Sequence, residues 1–76
     1  MNSEDIAAIK DALERVRKDE PFEKTLGRVL RRNGRSFDDY LRIIGELREI
    51  ARKKKMSLYE AGNLLTKGLN EGEYDH

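Results

Sequence analysis

Residues 36–55 read SFDDYLRIIGELREIARKKK. The apolar positions in this run are Phe37, Tyr40, Leu41, Ile43, Ile44, Leu47, Ile50 and Ala51. They recur in the threes and fours that one face of a helix with about 3.6 residues per turn requires. Ser36 is suited to cap the helix, and Asp38 and Asp39 place acids in its first turn, where the helix dipole favours them. Arg52-Lys53-Lys54-Lys55 suits the negative C-terminal end of the same dipole. The stripe is wide: Ile43 stands beside Ile44 and Ile50 beside Ala51, which predicts a long helix touching neighbours on both flanks. Asp38–Arg42 and Glu49–Lys53 are expected i,i+4 pairs. Gly45 interrupts the middle.

Outward from this helix the chain divides by its stop signals. Before it, Asn33-Gly34 reads as a helix stop, with Gly34 fitted to the left-handed C-terminal position. Phe22, Leu26, Val29 and Leu30 mark the buried face of a helix opened by Pro21, a residue that fits a first turn and forces its predecessor out of the helical region. Asp19 or Glu20 is expected to cap it. Gly27, inside it, predicts the close approach of another helix. Earlier still, Ser3 with Glu4 and Asp5 opens a helix whose face is Ile6, Ile9, Leu13 and Val16, with Glu14–Lys18 as a supporting pair. After the long helix, Ser57-Leu58-Tyr59-Glu60 has the form of a capping box, flanked by Met56 and Ala61 as a hydrophobic staple. Leu58, Ala61, Leu64, Leu65 and Leu69 continue at helical spacing.

The expected fold is therefore all-α: a small irregular four-helix bundle with helices at about 4–18, 21–33, 37–55 and 58–69. Residues 1–70 form one helical domain, followed by a short, mobile, polar tail at 71–76. The expected core is Ile6, Ile9, Leu13, Val16, Phe22, Leu26, Leu30, Leu41, Ile44, Leu47, Ile50, Ala61, Leu64 and Leu65. No strand pattern or internal repeat is present.

Charged residues make up 41% of the 76-residue chain, and the net charge is +1. The charge is segregated. Residues 1–23 carry four basic and seven acidic groups, residues 24–55 eleven and four, and residues 56–76 one and four. A basic middle between acidic ends either guides an anionic partner to one face or pairs with the ends. There is no cysteine, so disulfides and thiolate metal sites are excluded. No apolar run approaches the roughly 20 residues of a membrane span, and no signal-peptide core is present, so a cytoplasmic protein without a membrane partner is expected.

Catalysis is poorly served by these residues. The one histidine is His76, the last residue. Zinc sites and Cys–His or Ser–His nucleophiles therefore lack their parts. No phosphate-cradling glycine loop of the GxxxxGK[ST] or GxGxxG type occurs. The expectation is a non-enzyme with no metal, no cofactor and no small-molecule substrate.

One constellation points to a partner. Ala51 is a small residue late in the long helix, Met56 is apolar in the following turn, Ser57 caps the next helix, and Ala61 and Leu64 face back. This segment, residues 47–65, resembles a helix-turn-helix motif. The resemblance implies that the last helix presents its N-terminal, outward side chains to base edges in the major groove of double-stranded DNA. Those positions are Ser57, Tyr59, Asn63 and Thr66, with Lys67 reaching phosphate. Lys55 departs from the pattern, because it occupies the turn position that commonly holds glycine. It must either adopt an unfavourable backbone region or lengthen the helix. A less specific cationic surface is formed by Arg28, Arg31, Arg32, Arg35, Arg48, Arg52, Lys53, Lys54 and Lys55, all candidates for phosphate contact. Phe22, Phe37 and Tyr40 belong to the apolar pattern and read as core, which leaves Tyr59 as the outward aromatic. The expected function is a small nucleic-acid-binding regulator or accessory factor. The alternative is a protein-interaction module, an adaptor or inhibitor, that binds no nucleic acid.

Overall fold

A computed structural model describes the backbone of residues 1–74 and the side chains of residues 1–67. It is a four-helix, all-α protein, with no strand among the described residues. The elements are α1 (Ser3–Arg15), α2 (Phe22–Arg32), α3 (Phe37–Lys54) and α4 (Leu58–Tyr74). α1 packs on α2 and α4, α3 packs on α2 and α4, and α2 touches α4 more sparingly.

The boundaries follow local chemistry, with corrections. Asn2, not Ser3, caps α1: its side chain accepts the Asp5 amide at 2.8 Å. α1 ends at Arg15, and Val16 is extended, so Glu14–Lys18 falls outside the helix and Arg15 pairs with Asp11 at 2.8 Å instead. Pro21 occupies the cap position of α2 and makes no side-chain cap bond. Glu20 is engaged further along, accepting from the Thr25 hydroxyl and from Arg28. At the other end Gly34 adopts φ 73°, and the Arg35 amide donates back to the Leu30 carbonyl at 2.8 Å, which closes the helix as glycine allows. The complete capping box belongs to α3, where Ser36 and Asp39 satisfy each other's backbone amides. α4 runs to Tyr74 rather than ending near 69, so most of the expected tail continues the helix. Asp75 and His76 lie outside the described residues.

The core contains Ala8, Ile9, Ala12, Phe22, Leu26, Val29, Leu30, Ile43, Ile44, Leu47 and Ala61. Leu13, Val16, Ile50 and Leu65 pack against it half-buried. Three residues read as core are exposed instead: Phe37 is 70%, Leu41 51% and Leu64 41% exposed. α1 is turned relative to the expected face. Its buried positions are Asp5, Ala8, Ile9 and Ala12, while Ile6 is half-buried. Small alanines on that face let α1 lie close to its neighbours, and the turn carries Asp5 to a pair of arginines. Of the glycines, Gly62 rather than Gly27 sits where another helix comes nearest. A Cβ on Gly62 would stand 3.2 Å from Ile9 Cγ2, whereas one on Gly27 would meet Tyr40 at an ordinary 3.5 Å.

Candidate functional site

Ion pairing within the fold decides which cations remain for a partner. Asp5 is fully buried, and Arg35 and Arg42 each approach it to 2.6 Å. Asp39 joins them, 3.0 Å from Arg35 and 3.2 Å from Arg42. Arg42 therefore pairs with Asp5 and Asp39, not with Asp38 as its spacing had indicated. The two guanidiniums, Arg42 first, hold the Asp5 carboxyl down at about 2 against the opposing effect of burial. Asp39 is lowered too, chiefly by Arg35, and both arginines are raised. Glu20, bonded to Arg28 and then Thr25, is also lowered to about 2. Two acids facing two arginines make a closed, neutral set that ties the start of α1 to the start of α3.

Of the expected phosphate contacts, Arg35 is thus a structural clamp and Arg28 is bound to Glu20 at 2.8 Å. Arg52 lies 2.7 Å and Lys53 3.7 Å from Glu49. Arg31, Arg32, Arg48, Lys54, Lys55 and Lys67 are exposed and form no ion pair among the described residues. They are spread over three helices: Arg31 and Arg32 are on α2, Arg48 and Lys54 on α3 with Lys55 at its end, and Lys67 on α4.

The α3–α4 corner is built tightly. Lys55 takes the left-handed conformation at φ 54°, ψ 54°, the unfavourable of its two options, at a cost of about 1 kcal/mol relative to glycine. The Met56 amide reaches back to the Ala51 carbonyl at 3.0 Å, and Ser57 Oγ accepts the Glu60 amide at 3.1 Å. The expected base-reading set is not presented together. Thr66 is 5% exposed and its hydroxyl bonds to the carbonyls of Gly62 and Asn63, both at 3.1 Å, so it faces the interior. Leu64, expected to face back, is outside. Tyr59 is exposed but stands edge-on to Phe22, with ring centroids 6.1 Å apart. Ser57 serves its cap, and Asn63 is half-buried.

A different surface emerges between α2 and α3. Phe37, expected in the core, is 70% exposed and stacks on half-buried Tyr40 at 5.7 Å. Leu41 stands one turn further on the same side of α3. Phe37 and Tyr40 line a groove of about 560 Å³ together with Gly27 and Leu30 and with the charged Glu23, Lys24, Arg31 and Arg35. The Tyr40 ring lies over α2 at Gly27, at a distance that would leave a Cβ there in ordinary contact. The sequence held one signal for this groove: a stripe as wide as that of α3 exceeds what two neighbouring helices can cover. Phe37 and Leu41, four apart at its edge, are the residues left over.

The class defined so far is a small four-helix protein with an apolar, cation-edged groove. No protein-family model, curated protein or solved structure matches this chain. Among the described residues there is no cluster of three or more metal-binding side chains, and no helix is long and apolar enough to cross a membrane.

Proposed function

We propose that this chain is a protein-interaction module that holds apolar side chains of a protein partner in the α2–α3 groove. The observation that carries this reading is Phe37, 70% exposed at the groove's mouth. A large aromatic left in water at the mouth of a groove lined by Leu30 and Tyr40 gains about 1–2 kcal/mol when covered. Fold stability gives no reason for its exposure. The test is titration of the 15N-labelled protein with a helix-stapled peptide bearing three leucines on one face and glutamine elsewhere. Amide shifts should concentrate at residues 24–31 and 37–41 and be lost in Phe37→Ala. Shifts spread over the surface, or unaffected by Phe37→Ala, would refute the reading.

A second reading is binding to double-stranded DNA at the α3–α4 corner, favoured by the left-handed turn at Lys55 with Arg48, Lys54 and Lys55 unpaired nearby. It is weakened by the inward Thr66 and by the intramolecular use of Arg28, Arg35, Arg52 and Lys53. Fluorescence anisotropy with duplex and single-stranded oligonucleotides at two salt concentrations separates the readings. Affinity falling steeply with salt would support nucleic-acid binding, and no binding at low salt would exclude it.

A further inference from the structure

Resting on the reading of the α2–α3 groove as a protein-docking site, we propose that its occupant is a short amphipathic helix with acidic residues seven positions apart. Lys24 and Arg31 lie on α2 with that same separation, two turns or about 10.5 Å, and both line the groove. Both are exposed and neither forms an ion pair among the described residues. The third cation on the edge, Arg35, is already neutralised by Asp5 and Asp39. The one acid among the lining residues is Glu23, next to Lys24 in α2. With Arg35 neutralised, Lys24 and Arg31 against Glu23 leave this edge net positive, with the two cations spaced in helical turns.

The groove's form agrees with a helix. No strand edge exists among the described residues for an extended peptide to join, whereas α2 from Glu23 to Arg31 and the first turn of α3 at Phe37 and Tyr40 line a groove of the kind an apolar helix face fills with anchors at i, i+4 and i+7. Those anchors span the distance from Lys24 to Arg31. Leucines would rest on Leu30, Tyr40 and the open backbone of Gly27, with Phe37 closing over one end. Glutamates seven positions apart on the flank of the same helix, beside the leucine anchors, would meet Lys24 and Arg31. Such charge matching contributes to selection and association rate, while the apolar contact holds the helix in place.

Three helix-stapled peptides with identical leucine anchors test this, carrying Glu, Gln or Lys at the two flanking positions. Affinities come from the 15N titration. The Glu peptide should bind about tenfold tighter than the Gln peptide, and the Lys peptide more weakly still. Raising salt should narrow the gap, because the pairs are at the surface. Lys24→Glu/Arg31→Glu should reverse the order, and its amide spectrum should otherwise match the unsubstituted protein, since neither side chain supports the fold. Equal affinity of all three peptides, or a Glu advantage that survives the double substitution, would overturn the acidic-helix proposal and leave the docking groove standing. Failure of all three peptides to shift groove amides would overturn the docking reading itself.

Discussion

Asp5→Asn removes one negative charge from the interior and changes almost no volume. In the folded protein the Asp5 carboxyl titrates at about 2 against an ordinary 3.8. That difference corresponds to about 2 kcal/mol favouring the folded state when Asp5 is ionised. Breaking a buried ion pair by deleting one partner costs about 3–5 kcal/mol where the survivor is stranded. Here Arg35 and Arg42 both retain Asp39, and the Arg42 side chain is 43% exposed, so the lower end applies, about 2–3 kcal/mol. A chain of this length has a total stability on the order of 4–11 kcal/mol. The loss should lower the melting temperature by about 10–20 °C at pH 7, read by circular dichroism. Because the folded carboxyl is depressed, its contribution is complete above the unfolded value near 4 and disappears as pH falls through 2. The gap between the two proteins should therefore close on acidification. Glu20, also lowered to about 2, is held by Arg28 and Thr25 rather than by the clamp, so it cancels in the difference, whereas Asp39 shares Arg35 and Arg42 with Asp5 and is part of the clamp being measured. A loss below 0.5 kcal/mol, on the order of an ordinary surface substitution, would refute the clamp. So would a gap that stays constant from pH 7 to pH 2.

Three further substitutions probe the backbone. Gly45 lies mid-helix with nothing within 4 Å of an added Cβ, so Gly45→Ala should stabilise by about 0.5–1 kcal/mol in urea denaturation. Gly62→Ala should do the reverse by about 1 kcal/mol despite the same change in helix propensity, because its Cβ would meet Ile9 at 3.2 Å and Phe22 at 3.4 Å, crowding the core. Lys55→Gly relieves a left-handed lysine and should raise the melting temperature by a few degrees, the equivalent of about 0.5–1 kcal/mol; an unchanged or lower value would mean that the lysine side chain contributes to the corner.

What could be read from the residues is what depends on neighbours a few positions apart. Pro21, Asn33-Gly34 and Ser57 separated the helices, and the interior of α2 followed from Phe22, Leu26 and Leu30, because capping, chain reversal and helical periodicity are local. The candidate site was not legible in this way. The width of the α3 stripe announced that α3 has neighbours on two sides, but not which edge they cover. Leu41 and Phe37 were accordingly placed in the core and found in solvent. Thr66, polar and at an outward-seeming position, was found inside, where its own helix supplies acceptors for its hydroxyl.

By itself the sequence determined an all-α chain of four helices, the breaks that separate them at Pro21, Asn33-Gly34 and Ser57, and a basic middle between acidic ends. The tertiary structure alone decided which cations in that middle are free. Arg35 and Arg42 lie 30 and 37 positions from Asp5, and such pairs form only once α1 has docked with a particular face inward. That choice neutralises two arginines, whereas Lys24 and Arg31, along the groove with Phe37, have no ion-pair partner among the described residues. Helical periodicity carries no information about the direction from which the next helix arrives, and that direction sets both the buried clamp and the exposed groove.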